Sequence, residues 1–316
     1  MTVTLAAIQE ARRRIAGSAL RTPLVRLNCH DAPAEVYLKL ENLQPIGSFK
    51  IRGAANAMAR LSDEQLRRGV LTASAGNMAQ GAAWRARELG IPCTVVAPDT
   101  APAVKVEAVK RLGGRVIQVP FERWWQTFQK RAYPGVDATF LHAFDDPDVM
   151  AGNGTIGLEI LEDLPELDAV VIPWGGGGLT CGIAAAVRAK RPGCRIYAAE
   201  VSTAAPLTAS LAAGAAVVVD HQPSFVDGIG SKTVFPQMLA RAQTLIDGSL
   251  VADLAEVAAA MRLLADRNHV IAEGAGACPV ACALAAKAGG GKVVCVVSGG
   301  NIDLETLCKV SAQVPC

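Results

Sequence analysis

Short apolar runs alternate along this chain with alanine-rich stretches of helical period, and that alternation restricts its fold more than any other feature. Residues 36–40, 93–97, 115–119, 169–173, 195–200 and 292–298 read as buried strands, and 80–89, 103–112, 179–190 and 254–268 as helices between them. Such alternation builds βαβ units, so the chain is predicted to be α/β, with open, largely parallel sheets flanked by helices. At 316 residues, 51% hydrophobic and 19% charged, it can bury a core as one large or two medium domains. The most apolar stretch, "DAVVIPWGGGGLTCGIAAAV", is split by four glycines into a strand and a helix and does not continue as a membrane span.

Composition then narrows the partner. Net charge is +2 with no long basic run, so the expected partner is a small molecule, not nucleic acid or a membrane surface. The opening "MTVTLAAIQEARRRIAG" places its arginines after a short apolar stretch, unlike a secretory signal, and reads as an amphipathic helix of a cytoplasmic protein. Nine cysteines (Cys29, Cys93, Cys181, Cys194, Cys278, Cys282, Cys295, Cys308 and Cys316) lack zinc-finger spacing and are expected to be reduced and mostly buried.

Three junctions between a strand and a helix carry chemistry. Gly175 to Gly178 follow a strand ending at Pro173 and enter a helix near Leu179. Successive backbone N–H groups there can converge on a phosphate at the positive end of a helix. No Lys-Ser/Thr pair follows, and no acidic residue stands about twenty positions on, so a compact monophosphate fits better than a nucleoside triphosphate or a dinucleotide. "TASAGNMAQG" (72–81) offers hydroxyl, amide and backbone donors suited to a carboxylate, and "VVCVVSGGN" (293–301) ends a buried strand with Ser298 and Asn301. Ligands of open α/β sheets bind beyond the carboxyl ends of strands, so all three loops can share one crevice. Lys50 stands between Phe49 and Ile51; a lone lysine there would be read as one that keeps its head in solvent.

The segments "PIGSFKIRGA", "SAGNMAQG", "GNGTIGLEI", "GGGGL", "EGAGA" and "VVSGGN" occur in the order and spacing of the fold type II pyridoxal-phosphate enzymes, and the chain resembles their threonine/serine dehydratase and serine racemase family. The resemblance runs from about residue 20 to 305. It implies a two-domain fold like that of the tryptophan synthase β chain, with residues 1–56 and 147–316 forming a large cofactor-binding domain and 57–146 a small domain that closes over substrate. It makes Lys50 the lysine that holds pyridoxal 5′-phosphate covalently, with Phe49 beside the cofactor ring. Gly175, Gly176, Gly177, Gly178 and Leu179 match the phosphate cup, Asn77 the contact to the 3′-oxygen, Ser298 the hydroxyl facing the pyridine nitrogen, and Glu273 a residue lining the pocket. Ser74, Ala75, Gly76, Asn77 and Met78 match the loop for the substrate carboxylate. The implied activity is dehydration of a 3-hydroxy amino acid to a 2-oxo acid and ammonia, in a homodimer.

Departures from the family pattern bear on the finer questions. Ala75 replaces the hydroxyl residue that racemases use as a second acid/base, so racemisation is expected to be minor. Met78 replaces a histidine and Asn153 a glutamine; read together they are expected to widen the space near the substrate's β-carbon and favour bulky or aromatic 3-substituents, as in phenylserine. Trp124 and Trp125 would strengthen that expectation if either reaches the cleft. Of the cation ligands some members use, Glu200 and the Ala204 carbonyl are present but Pro206 stands where an acid is needed, so Glu200 reads as a strand-end carboxylate and no cation is carried over. Asp145 and Asp146 are expected to cap a helix near Pro147. Racemase, β-replacement synthase and a noncatalytic amino-acid sensor are the alternatives; retention of Lys50, Ser298 and the glycines argues against the sensor. The chain ends soon after the last motif, so no regulatory domain is expected.

Overall fold

The computed structural model describes residues 3–312; Cys316 lies outside them. Ten strands are formed among the described residues: β1 (Leu24–Arg26), β2 (Glu35–Leu40), β3 (Val70–Ala73), β4 (Cys93–Pro98), β5 (Arg115–Val119), β6 (Thr139–Phe140), β7 (Ala169–Pro173), β8 (Arg195–Val201), β9 (Gly248–Ala252) and β10 (Lys292–Val297). They make two sheets, one of order β1-β2-β10-β7-β8-β9 and one of order β5-β4-β3-β6. Every pairing is parallel except β1 with β2. Because β10 lies between β2 and β7, the two ends of the chain build one lobe around the segment that forms the smaller sheet.

The larger sheet is covered on both faces, which is why its central strands are apolar at nearly every position. Alternation separates their side chains: Val170, Ile172, Val294 and Val296 join one core, while Ala169, Val171, Val293, Cys295 and Val297 join the other. The predicted strands form within a residue or so of their expected limits. β1, β6 and β9 lie outside the sequence expectations. The first two are three and two residues long, and β9 is a half-buried edge strand. No helix among the described residues is long and apolar enough to cross a membrane.

Helix Pro147–Asp163 returns the chain to the larger lobe, and its glycine-rich sequence follows from how closely it packs. A Cβ on Gly152 would lie 2.3 Å from the Arg52 carbonyl oxygen of helix Lys50–Met58, and one on Gly182 of helix Gly178–Lys190 would lie 2.3 Å from the Met150 carbonyl oxygen. Helix Lys50–Met58 is thereby clamped. It also contributes Ala54, Ala57 and Met58 to the core under the smaller sheet, so the expected boundary at 56/57 falls inside a helix shared by both lobes.

Arg52 on this helix enters a buried ion network that the sequence reading missed. Its guanidinium donates to Glu41 at 2.8 Å and to Glu159 at 2.7 Å, and Lys39 donates to Glu159 at 2.6 Å. Two cations and two anions balance in the interior, and Thr22 donates a further hydrogen bond to Glu41. Asp146 caps helix Pro147–Asp163, accepting from the N–H groups of Asp148 and Val149. Asp145 does not cap. It pairs instead with Arg131 of the small lobe and Arg241 of the large one, at 2.8 and 3.0 Å.

Candidate active site

The carboxyl ends of β3, β7 and β10 open on one cleft of about 430 Å³ between the lobes. Phe49, Lys50, Ser74, Ala75, Gly76, Asn77, Met78, Gly175, Gly176, Gly177, Gly178, Leu179, Glu273 and Ser298 all line it. Four helices begin there, at Lys50, Asn77, Gly178 and Gly274, and none has a side-chain cap. The free N–H groups and positive dipole ends of four helices therefore meet in one place, an arrangement suited to a ligand with more than one anionic group.

Lys50 opens its helix with Nζ donating to the Ala143 carbonyl at 2.8 Å and lying 5.0 Å from the centroid of the Phe49 ring. Burial lowers its pKa to about 8, against the opposing pull of the Glu273 carboxylate. At pH 7 roughly one such amine in ten is neutral, against one in a few thousand for an ordinary lysine. That makes Lys50 a competent nucleophile toward an aldehyde.

Glu273, only 6% exposed, is pushed up to about 7 by burial and by the charge of Asp227. Asn77 Nδ2 donates to its Oε1 at 2.8 Å, and Asn301 Nδ2 donates to Asn77 Oδ1 at 2.7 Å. Asn301 thus fixes the orientation of Asn77; it stands in "VVSGGN", the one sequence sign of it. Ser298 follows β10, and its carbonyl accepts the N–H of Phe49 at 3.0 Å, tying the two loops together.

The glycine junction is shaped by its neighbours. Gly177 has φ +90°, and a Cβ there would meet the Trp174 ring at 2.4 Å; one on Gly176 would meet the Phe144 ring at 2.0 Å. Only backbone can form this wall. Gly76 N–H donates to Ser74 Oγ at 3.2 Å, which shapes the loop after β3.

Two sequence expectations change. Asn153 does not line the cleft: its amide is buried within helix Pro147–Asp163, beside Gly53, with neither polar atom hydrogen-bonded among the described residues. Met78 lines the cleft, but its side chain is 1% exposed and packs with Ala54, Met58 and Val149 in the small-lobe core, so its thioether is committed there. Glu200 accepts hydrogen bonds from Leu207 N–H, Thr208 N–H and the hydroxyls of Thr208 and Ser249, at 2.7 to 2.9 Å, which secures the start of helix Pro206–Ala213. Ala204 follows β8 by three residues, and its N–H donates to the Val201 carbonyl at 3.0 Å.

Lys105, Asp227, Ala143 and Phe144 of the wall carried no sequence signal. Lys105 and Asp227 form an ion pair across the cleft, one from each lobe. Trp124 reaches the cleft with its indole N–H buried and unpaired among the described residues, whereas Trp125 packs against Phe128 and Phe235. Phe144 and Ala143 complete the wall beside Lys50.

A phosphate-bearing aldehyde fits these residues. The side-chain-free cradle and uncapped N–H groups suit the phosphate, and the depressed amine of Lys50 suits the aldehyde. A family profile described as "Pyridoxal-phosphate dependent enzyme" matches residues 15–299. An L-threonine ammonia-lyase of Thermotoga maritima is 40% identical over 313 residues, covering 98% of this chain and 78% of that protein. The structure of maize serine racemase superposes with a TM-score of 0.91 at 34% identity, covering 99% of this chain and 98% of that one. The processed form of threonine deaminase isoform 2 from Solanum lycopersicum gives 0.88 at 33% identity, covering 98% and 86%. The chain therefore belongs to the pyridoxal-phosphate dependent enzyme family, in its fold type II.

Proposed function

We propose that this chain is an ammonia-lyase that converts threonine, and other 3-hydroxy amino acids, to a 2-oxo acid and ammonia. The observation that carries the reading is the convergence on one cleft of a low-pKa lysine, a glycine cradle and a loop of free N–H groups, in a chain 40% identical to an L-threonine ammonia-lyase. Bound in the cradle, pyridoxal phosphate supplies the electron sink that makes the substrate's α-hydrogen acidic. The chain's residues do the rest. Gly175 to Gly178 and Leu179 hold the phosphate; the loop from Ser74 to Met78 receives the substrate carboxylate; the Lys50 amine takes the α-proton. As the resemblance implies, Asn77, oriented by Asn301, would contact the cofactor's 3′-oxygen, Phe49 would lie beside its ring, and Ser298 would offer its nitrogen a neutral hydroxyl. Ala75 offers no proton on the opposite face, which favours loss of the β-hydroxyl over racemisation. The four hydrogen bonds to Glu200 support a reading in which no divalent cation is needed at that carboxylate.

Trp124 supports a second reading of substrate size. An aromatic wall in the cleft suits a 3-aryl substrate such as phenylserine, although neither Asn153 nor the Met78 thioether widens the site. Oxo-acid formation from serine, threonine, 3-hydroxyaspartate and phenylserine tests both. Turnover of threonine carries the main reading, a higher kcat/KM for phenylserine carries the second, and turnover of none of the four would contradict both. All eight described cysteines are free, which supports a reducing compartment such as the cytoplasm. Light scattering would test the homodimer expected from the resemblance.

A further inference from the structure

His142 lies just past β6, where the chain leaves the smaller sheet and turns back toward helix Pro147–Asp163. Its ring is 2% exposed, with the Phe128 ring centroid 4.5 Å away and Phe144 set edge-on at 4.7 Å. Its Nδ1 accepts two backbone N–H groups, from Phe144 at 3.3 Å and Asp145 at 2.9 Å. Those bonds close a tight turn over Ala143, and the Ala143 carbonyl is the acceptor for Lys50 Nζ at 2.8 Å. The same turn presents the Phe144 ring to Gly176, where a Cβ would lie 2.0 Å from it. One short turn thus carries both the partner of the amine and a wall of the glycine cradle.

We infer that His142 is a positioning residue: by accepting the N–H groups of Phe144 and Asp145, it holds the Ala143 carbonyl where the Lys50 amine docks. The inference rests on Lys50 being the cofactor-bearing lysine. A neutral amine has two N–H bonds and one lone pair, so fixing one N–H on a carbonyl narrows the direction of the lone pair to one of two. That direction governs both attack on an aldehyde and removal of a proton from a substrate. Burial, with the Arg131 and Lys50 charges and against that of Asp145, lowers the imidazole to about 4, which keeps Nδ1 free to accept.

Two variants separate the acceptor from the ring. His142→Phe keeps the aromatic packing and removes the acceptor; His142→Asn keeps an acceptor oxygen at similar reach and removes the ring. The readouts are the rate at which the stripped full-length chain takes up pyridoxal phosphate, kcat and KM with threonine, the melting temperature, and the borohydride-trapped peptide. For His142→Phe, loading and kcat should fall on the order of tenfold with KM little changed, the size expected for one lost positioning hydrogen bond. For His142→Asn, both should recover to within about threefold of the unaltered protein even if the melting temperature stays low. Unaltered loading and kcat in His142→Phe would overturn the inference. So would a folded His142→Asn that is as slow as His142→Phe, because the ring would then be what matters. If His142→Phe does not fold, a folded His142→Asn with loading and kcat reduced on the order of tenfold overturns the inference by itself. An adduct trapped away from Lys50 in the unaltered protein would instead overturn the assignment of Lys50, and the inference with it.

Discussion

Lys50 and Glu273 both line the cleft with displaced pKa values of opposite kind, the amine lowered to about 8 and the carboxyl raised to about 7. Both shifts arise chiefly from burial, which disfavours each charged form. The sign for Glu273 is direct. Its folded pKa lies above the unfolded value, so the stability of the neutral acid is fully present below about pH 4.3 and is lost as pH rises through about 7. Glu273→Gln should therefore match the unaltered chain near pH 4 and become more stable above pH 7, by at most about 4 kcal/mol. Denaturant melts of the cofactor-free chain at both pH values check this; equal stability at pH 8 would show that the carboxylate is compensated. Ala75 gives a second expectation at this scale. Elimination should exceed racemisation in the unaltered enzyme by orders of magnitude, and Ala75→Ser should raise racemisation, as chiral analysis of residual substrate would reveal. Comparable rates in the unaltered enzyme would mean that another group supplies the second proton.

Among the elements, helix Lys50–Met58 bears both the reactive amine and, two residues on and turned to another side, Arg52. The Arg52 guanidinium spans Glu41 and Glu159, so Arg52→Met would leave two buried carboxylates with Lys39 as their remaining cation. The expected loss is about 3–5 kcal/mol in a denaturant melt, and a loss under about 1 kcal/mol would contradict the network's role. That network was illegible in the sequence because isolated charged residues are ordinarily solvated, and nothing in their spacing marks four that meet inside. The doubly buried strands β7 and β10 and the glycine junction were legible because burial on both faces and a close backbone approach each leave a compositional trace. β1 and β6 left none, since strands so short are stabilised by their neighbours. Asn153 misled for a related reason: its place in a motif says nothing about which face of a close-packed helix it occupies. The motif residues around Lys50 could be brought to one cleft by order and spacing alone, whereas Lys105, Asp227 and Trp124 are placed by the fold.

At the scale of the whole molecule, two lobes are joined by the shared helix, by Asp145 bridging Arg131 and Arg241, and by the Lys105–Asp227 pair across the cleft. Lys105 and Asp227 are 26% and 55% exposed in their side chains, so the pair is worth no more than about 1 kcal/mol. Lys105→Met should raise KM by at most about fivefold with kcat little altered, and added salt should raise KM in the unaltered enzyme more than in the variant. A large fall in kcat would instead assign Lys105 to the chemistry. In the proposed function the Lys50 amine carries the cofactor and takes part in the lyase reaction. The direct measurement is borohydride reduction of the full chain loaded with pyridoxal phosphate, followed by peptide mass spectrometry, with Lys50→Ala as control. A single phosphopyridoxyl adduct is expected on Lys50, and a folded Lys50→Ala should form none and produce no oxo acid. An adduct on Lys105, the other lysine of the cleft, or oxo-acid formation by Lys50→Ala, would contradict this role of Lys50.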